Sequence, residues 1–216
     1  MPRETFAARS TRARLIIDRL NAAMPEAKIE LHATTPLELL VAVLLSAQTT
    51  DKRVNLVTPA LFKRFKTAAD YAAAKPEDIE RIIASVGLFR NKAKAIAALG
   101  RALVENHQGK VPLARAALAM LPGVGQKTAG VVSMHLGGEA AFPVDTHILR
   151  LAKRMGLSDA ATPDKVEIDL QKLIPQRLWF QGHQLLIWHG RRCCAARSPQ
   201  CQRCVVFDLC PRRGVQ

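Results

Sequence analysis

The chain carries a lysine directly behind a glycine-rich turn and an aspartate 18 residues further on. Lys127 lies in the segment LPGVGQKTA, and Asp145 lies in VDTH. A lysine amine is a nucleophile only when it is neutral, and its ordinary pKa is about 10.4. An aspartate beside it accepts the amine's proton or stabilises positive charge that develops during the reaction. The two residues therefore predict covalent catalysis by Lys127 with support from Asp145.

Activation of Lys127 requires more free energy than its position on a helix supplies. Lowering the lysine pKa to about 8 takes roughly 3 kcal/mol, whereas a helix N-terminus contributes about 0.3 to 1 kcal/mol. We therefore expect desolvation in a pocket to supply most of the shift. The simpler alternatives are a surface lysine and an aspartate that caps the helix beginning at Thr146, although capping does not exclude a role in catalysis.

The glycine-rich turn is itself a candidate binding site. Short helices are predicted over 116–120 and from Gln126 onward, so that Gly123, Val124 and Gly125 form a hairpin between them. Consecutive backbone N–H groups beside a helix N-terminus bind phosphate without a side chain, and such contacts do not read the base sequence. Taken alone, the pattern also fits an ordinary turn between two packed helices.

Four of the five cysteines have the spacing of a metal site. They are Cys194, Cys201, Cys204 and Cys210, in the pattern C-x6-C-x2-C-x5-C within 17 residues. In a reducing cytosol this set indicates a metal centre rather than disulfides. Zinc sites usually combine two C-x2-C pairs and only one occurs here, so the spacing leans away from zinc. Cys193 is left over, either as a competing ligand or as a free thiol.

The charge of the chain predicts a polyanionic partner. Lys and Arg number 32 against 18 Asp and Glu, for a net charge of +14, and nucleic acid is the leading candidate. A ribosome-associated protein or the arginine-rich composition of a GC-rich genome is the alternative. Between residues 191 and 213 six arginines face Asp208 alone, for a net charge of +5. We expect this segment, including Arg191 and Arg197, to lie on phosphates.

Helical patterns must position these groups. Thr35–Glu38 reads as a capping box that opens a buried helix reaching Ala47, Asn91 is predicted to cap another helix, and Pro112 to start the next. Thr162 and Pro163 repeat the start signal. Sustained alternation of apolar and polar residues is absent from the sequence, which predicts an all-α fold.

The sequence of 216 residues, 49% of them hydrophobic, is long enough to bury a core. It has no run of 18 apolar residues, and its first residues lack the apolar segment of a signal peptide. We expect a soluble, intracellular protein without a membrane partner.

Separated motifs along the chain resemble the endonuclease III family of DNA glycosylases. LPGVGQKTA and VDTH match that family in order and spacing, as do LLVAVLLSAQTTD at 39–51, GLFRNKA at 87–93 and the C-terminal cysteines. The resemblance extends over nearly the whole chain. Two departures are Gln126, where the family often has arginine, and Gly130, where it often has asparagine; the second weakens its helix by about 1 kcal/mol relative to alanine.

The resemblance implies two helical domains with a DNA-binding cleft between them. A barrel of about six helices over residues 29–140 would carry the helix-hairpin-helix at about 113–136. Residues 1–28 and 141–216 would together form a discontinuous domain for an iron–sulfur cluster, with the cluster loop at 194–210. The resemblance further implies a monomer in the bacterial cytosol or nucleoid.

The resemblance also implies a base excision repair enzyme acting on duplex DNA that contains damaged bases, with oxidised pyrimidines the family's expectation, or abasic sites. Lys127 would attack C1′ of a flipped-out nucleotide, expel the base and cleave the strand by β-elimination through a Schiff base. Gln48 would fill the vacated space, Leu88 would wedge into the opposite strand, and His147 would shape the pocket or contact DNA. The four spaced cysteines would hold a [4Fe–4S] cluster with a structural and DNA-docking role.

Two rival functions share some of these features. The adenine-mismatch branch of glycosylases has the hairpin, the aspartate and the cluster, but it lacks the lysine and usually carries a further C-terminal domain. A non-catalytic iron–sulfur DNA-binding protein would need neither Lys127 nor Asp145.

Overall fold

The computed structural model describes residues 4–215, which form helices joined by turns. The helices are α1 Phe6–Ala23, α2 Pro36–Leu45, α3 Asp51–Arg64, α4 Ala68–Ala73, α5 Pro76–Ile83, α6 Phe89–His107, α7 Arg115–Ala119, α8 Gln126–His135, α9 Thr146–Arg154, α10 Pro163–Leu173 and α11 Trp179–Arg192. No strand occurs among the described residues, which confirms the predicted all-α class. None of the helices in 4–215 combines the length and the apolar character needed to cross a membrane.

The chain divides into two compact units, of which one spans Glu30–Glu139 and contains α2 to α8. Its centre is α2, where every residue of 39–45 is buried, and α2 packs against α3, α6 and α8. α6 passes close to α4, because a Cβ on Gly100 would lie only 2.6 Å from Tyr71 Cβ. The turn after α2, the start of α6 and the start of α8 are thus all held by one buried framework.

The other unit joins Met1–Ile29 to Ala140–Gln216 and contains α1 and α9 to α11. These four helices pack around one buried apolar core. The guanidinium of Arg12 on α1 donates to the backbone carbonyls of Met155 at 2.6 Å and Leu209 at 3.0 Å. The first helix of the chain is therefore tied to the segment that holds the cysteines.

Two predicted helix starts are wrong. α6 begins at Phe89, before Asn91, because Leu88 adopts a left-handed conformation that ends the preceding turn. α7 begins three residues after Pro112. The non-helical segment that includes Pro112 is held to α8 instead, where Ser133 Oγ donates to the Leu113 carbonyl at 2.6 Å.

The predicted capping box of α2 forms in a modified way. Thr35 Oγ1 accepts from the Glu38 N–H at 3.2 Å, as expected. The Glu38 carboxylate, however, accepts from the backbone N–H of Thr34 at 2.6 Å, one residue earlier than in a capping box. α2 ends at Leu45, short of Ala47, whereas the start predicted for α10 at Thr162 is confirmed.

Candidate active site and metal centre

The hairpin between α7 and α8 depends on glycine at its centre. Gly123 has φ +77°, and a Cβ there would lie 2.8 Å from Ala95 Cβ and 3.1 Å from Leu44 Cδ1. Any other residue would be strained by its backbone and would collide with α2 and α6. Val124 between the glycines is buried, and its N–H donates to the Leu121 carbonyl at 3.0 Å. The Val124 amide therefore stabilises the turn itself.

Gly125 leaves the start of α8 open. It is the N-cap of α8, no side chain caps the helix, and a Cβ on Gly125 would meet nothing within 4 Å. The first turn of a helix has backbone N–H groups without intrahelical acceptors and carries partial positive charge. This end of α8 thus has the chemistry and the space to accept a phosphate.

Lys127 is the second residue of α8 and its side chain is exposed. The sequence predicts a pocket that desolvates the Lys127 amine, but residues 4–215 of the protein do not bury this side chain.

Asp145 is the N-cap of α9, so the aspartate does cap the helix that begins at Thr146. Its Oδ1 accepts from the Ile148 N–H at 2.8 Å, and the residue is half-buried. The cap fixes the carboxylate at the start of α9 and uses one of its oxygens. The second oxygen has the chemistry to accept a proton while the cap stays intact.

Gln48 and Leu88 lie on two neighbouring turns and share an unusual backbone. Their φ angles are 54° and 56°, in the left-handed region that costs roughly 1 to 2 kcal/mol for residues other than glycine. Both side chains are exposed, Leu88 by 57%. A Cβ on Gly87 would lie 3.3 Å from the Gln48 carbonyl, so the turns are in contact. Strain at two exposed adjacent residues marks a candidate functional surface.

Lys92 locks these two turns together, a role that sequence reasoning missed. It lies on α6, is 6% exposed, and its ammonium donates to the carbonyls of Leu45 at 2.8 Å and Ala47 at 2.5 Å and to Thr49 Oγ1 at 3.1 Å. Burial lowers the pKa of Lys92. A cation at the carbonyl end of α2 is favourable, and here it joins the turn that carries Gln48 to the helix that follows Leu88.

All four spaced cysteines line one pocket at the end of α11, together with Cys193 and His189. Their thiols are half-buried and unpaired by disulfides. Burial raises the pKa of Cys204 to about 11, whereas a bound metal cation would favour the thiolate. No carboxylate lies among the described residues that line the pocket. A thiolate-rich site with cationic neighbours fits a soft metal or a cluster.

Two arginines of α9 hold the first part of the cysteine segment, and sequence reasoning missed both. Arg150 donates to the Gly190 carbonyl at 2.9 Å and the Cys194 carbonyl at 3.0 Å. Arg154, only 9% exposed, donates to Cys194 Sγ at 3.3 Å and to the Ala195 carbonyl at 2.7 Å. The sequence signal available was R-x3-R, one helical turn apart on α9.

The predicted DNA-contact residues of this unit lie near the same pocket. Arg191 at the end of α11 and Arg197 in the cysteine segment are both exposed. Three other arginines of the basic segment already have protein contacts: Arg192 over the Trp188 ring, Arg212 over the Phe207 ring, and Arg213 with Asp159. Of these three contacts, the one with Asp159 pairs an arginine with an acidic group, so the positive charge of Arg192 and Arg212 stays uncompensated by it.

His147 occupies the first turn of α9, where its ring lies against α11. A Cβ on Gly190 would be 3.0 Å from His147 Cβ, and His147 Nδ1 lies 3.2 Å from Arg150 Nη2. The ring is half-buried. These contacts suit a residue that spaces α9 from α11.

The chain is similar to known DNA repair proteins in both sequence and structure. The family model of HhH-GPD superfamily base excision DNA repair proteins matches residues 41–176. The chain is 47% identical over 207 residues to endonuclease III of Synechocystis sp., covering 95% of this chain and 94% of that protein. It is 43% identical over 197 residues to endonuclease III of Bacillus subtilis, covering 90% and 89%. Its structure matches that of a trapped endonuclease III–DNA covalent intermediate with an estranged adenine, with a TM-score of 0.90 at 42% identity, covering 94% and 96%.

Proposed function

Because this chain belongs to the endonuclease III family of HhH-GPD base excision DNA repair proteins, and is therefore a DNA glycosylase and abasic-site lyase, we propose that Lys127 is its nucleophile and Asp145 its acid–base partner. The observation that carries the proposal is the position of Lys127. Lys127 lies in the first turn of a helix without a side-chain cap, directly behind the glycine hairpin. A DNA backbone bound at that hairpin would bring a deoxyribose close to the amine.

The chemistry requires one neutral amine and one proton acceptor. Asp145 takes a proton from the attacking amine, the Lys127 nitrogen forms a bond to C1′, and the bond from C1′ to the base breaks with its electron pair leaving on the base, which is then protonated. Opening of the sugar ring gives a Schiff base between Lys127 and C1′. Loss of a proton from C2′ then expels the 3′ phosphate by β-elimination, and water hydrolyses the Schiff base to release the enzyme.

Activation of Lys127 belongs to the DNA complex in this proposal. The exposed side chain of Lys127 in the protein alone supports this view. A bound duplex would exclude water from the start of α8 and so disfavour the charged amine. The nucleophile is then unreactive until DNA is bound.

The two strained turns support a base-flipping role. A base in a duplex is reached only after it leaves the stack, at a cost of a few kcal/mol that damaged pairs reduce. In the proposal Gln48 fills the vacated space and the exposed Leu88 wedges between bases of the opposite strand. Gly123 and Gly125 hold the phosphate backbone through the start of α8, and His147 shapes the pocket or contacts DNA.

The four spaced cysteines are proposed to hold a [4Fe–4S] cluster. Cys194, Cys201, Cys204 and Cys210 offer four thiolates in one pocket, and Arg154 offsets part of their negative charge. When bound, such a cluster cross-links the segment, whose exposed Arg191 and Arg197 then lie on DNA phosphates. In this assignment residues 29–140 form the barrel domain and the two ends of the chain form the cluster domain.

The partner in this proposal is duplex DNA that contains damaged bases, with oxidised pyrimidines the expected class, or abasic sites. We propose a monomer that works in the bacterial cytosol or nucleoid. The net charge of +14 supports a polyanionic partner.

Borohydride trapping tests the nucleophile directly. The full chain is incubated with duplexes carrying an abasic site or thymine glycol, and borohydride reduces any Schiff base to a stable adduct. Lys127→Ala should abolish the adduct, whereas Lys94→Ala, at an exposed lysine of α6, should not. Absence of an adduct with the unsubstituted chain would contradict the lyase assignment.

Asp145→Asn separates chemistry from structure. Asparagine caps a helix as well as aspartate, so the cap on the Ile148 N–H should survive and the melting temperature should stay unchanged. Excision should slow by about 100-fold or more because the proton acceptor is lost. An unchanged single-turnover rate would show that Asp145 serves only as a cap.

A further inference from the structure

Three potential metal ligands meet beside the four-cysteine set in an arrangement that includes the leftover cysteine. The ligand atoms of His189, Cys193 and Cys204 all lie within 4.8 Å of one another. His189 is buried and the two thiols are half-buried, so an ion can enter from solvent. Cys204 belongs to both sets, whereas His189 and Cys193 lie outside the set proposed for the cluster.

The local structure brings His189 and Cys193 to the same face of α11. They are four residues apart at the end of the helix, and the Cys193 N–H donates to the His189 carbonyl at 2.9 Å. Residues at this spacing are neighbours on a helix surface. Cys204 approaches from the turn Cys201–Arg203, whose last hydrogen bond runs from the Cys204 N–H to the Cys201 carbonyl at 3.0 Å.

The distance between the ligand atoms of Cys204 and His189 suits a single tetrahedral ion. Zinc binds thiolate at about 2.3 Å and imidazole at about 2.0 Å, so a sulfur and a nitrogen on one tetrahedral zinc lie about 3.6 Å apart. Cys204 Sγ and His189 Nε2 are 3.6 Å apart in the structure. Two thiolates and an imidazole are also the ligand types that zinc prefers among protein side chains.

We propose that His189, Cys193 and Cys204 form a second metal site, which takes one Zn²⁺ or a similar divalent ion when the four-cysteine set holds no iron. The fourth position is taken by water or by another thiolate of the pocket. Because Cys204 serves in both sets, occupation by zinc and by a cluster are mutually exclusive. The site extends the proposed function and does not depend on Lys127 chemistry.

A hydrogen-bonded thiol pocket is the ordinary alternative. The contact between Cys204 Sγ and His189 Nε2 has the length of a weak hydrogen bond to sulfur, and Cys193 Sγ lies 3.6 Å from the Gln200 carbonyl. Zinc could also be bound by the four spaced cysteines without Cys193. Both alternatives predict that Cys193 is irrelevant to zinc affinity.

The test titrates Zn²⁺ and Co²⁺ into the full-length, iron-free chain. Zinc affinity is measured by competition with a chromophoric chelator, and Co²⁺ reports tetrahedral thiolate ligation by its charge-transfer absorbance. Cys193→Ser should weaken zinc binding by more than about 100-fold, since loss of a direct ligand costs at least as much as loss of its hydrogen-bond partner. It should also reduce the Co²⁺ charge-transfer band.

The matched control is Cys194→Ser, at the neighbouring cysteine outside the proposed zinc set. It should bind zinc more tightly than Cys193→Ser does, although it should lose the cluster. Zinc bound by Cys193→Ser as tightly as by the unsubstituted chain would overturn the proposal. Iron-loaded chain that still binds zinc with full affinity would overturn the shared use of Cys204.

Iron content separates this result from a failure of the cluster proposal. Chain produced with iron should carry the cluster in Cys193→Ser at the level of the unsubstituted chain, as measured by iron analysis and absorbance. If neither protein takes up iron, the cluster assignment fails while the zinc titration still decides the second site.

Discussion

Lys92→Met tests whether one buried ammonium holds the base-flipping surface in place. Methionine has similar length, so the substitution removes the charge and the three hydrogen bonds while filling most of the same volume. The carbonyl of Leu45 loses a donor at 2.8 Å, and that of Ala47 loses one at 2.5 Å. Ala47 is exposed and its carbonyl can bind water instead, whereas Leu45 is buried.

The size of the effect follows from these differences. An unsatisfied buried carbonyl costs about 1 to 3 kcal/mol, and removal of a buried ammonium returns part of that cost because its desolvation ends. We expect a net loss of about 2 kcal/mol in the free energy of unfolding. For a chain of 216 residues this lowers the melting temperature by about 4 to 8 °C.

The functional effect should be selective. Without Lys92, the turns that carry Gln48 and Leu88 can relax from their left-handed conformations, so excision from intact duplex should slow by about tenfold or more, in proportion to the lost pre-organisation. Cleavage at an abasic site, where no base has to be expelled, should slow much less. The two rates are measured in single-turnover assays on the same protein.

Lys94→Met is the matched control, since it removes the same charge from an exposed position on the same helix. Its unfolding free energy should change by less than about 0.5 kcal/mol, and both rates should stay unchanged. If Lys92→Met has the melting temperature and excision rate of the unsubstituted chain, the Lys92 hydrogen bonds do not hold the two turns in place. If both rates fall equally, Lys92 supports the fold but not base flipping.

Three further substitutions test the hairpin, the wedge and one ion pair. Gly123→Ala should lose roughly 2 to 4 kcal/mol in chemical unfolding from left-handed strain plus collision with α2 and α6, whereas Gly137→Ala, at φ +74° in open space, should lose only about 1 kcal/mol. Leu88→Gly should raise the melting temperature by relieving backbone strain yet slow excision; a less stable, fully active variant would contradict the strain argument. The Arg12 guanidinium lowers the pKa of Glu4, so this pair stabilises the fold above the ordinary Glu pKa and loses that contribution as pH falls through the lowered value. In unfolding series across pH, Glu4→Gln should remove less than about 1 kcal/mol at neutral pH and nothing in acid.

Features decided by one or two neighbouring residues are the ones that sequence reasoning predicts. The Asp145 cap, the start of α8 behind Gly125 and the all-helical class all follow from local propensity and turn chemistry. Gly123 is similar, because its positive φ reflects a tight turn that the sequence already marks.

Sequence reasoning misses the features that depend on residues far apart in the chain. The acceptors of Lys92 lie 43 to 47 residues away in the chain, so no local sequence pattern reveals these hydrogen bonds. Asn91 is a good helix cap and so predicts the start of α6, but the packed turns impose a left-handed Leu88 and the helix begins at Phe89. The sequence predicts a buried Lys127 amine, whereas the side chain is exposed in the structure. This difference has another cause, because the DNA that is proposed to cover Lys127 is a separate molecule.

One helix links the proposed chemistry to the metal pocket. α9 spans nine residues, or about 14 Å, and Asp145 caps its N-terminus. Further along α9, Arg150 donates to the Cys194 carbonyl and Arg154 donates to the Cys194 thiol. A metal that orders the cysteine segment would therefore also restrain α9 through these contacts, and with α9 the Asp145 carboxylate at its start. A purely structural metal centre would then affect excision without contact with the substrate.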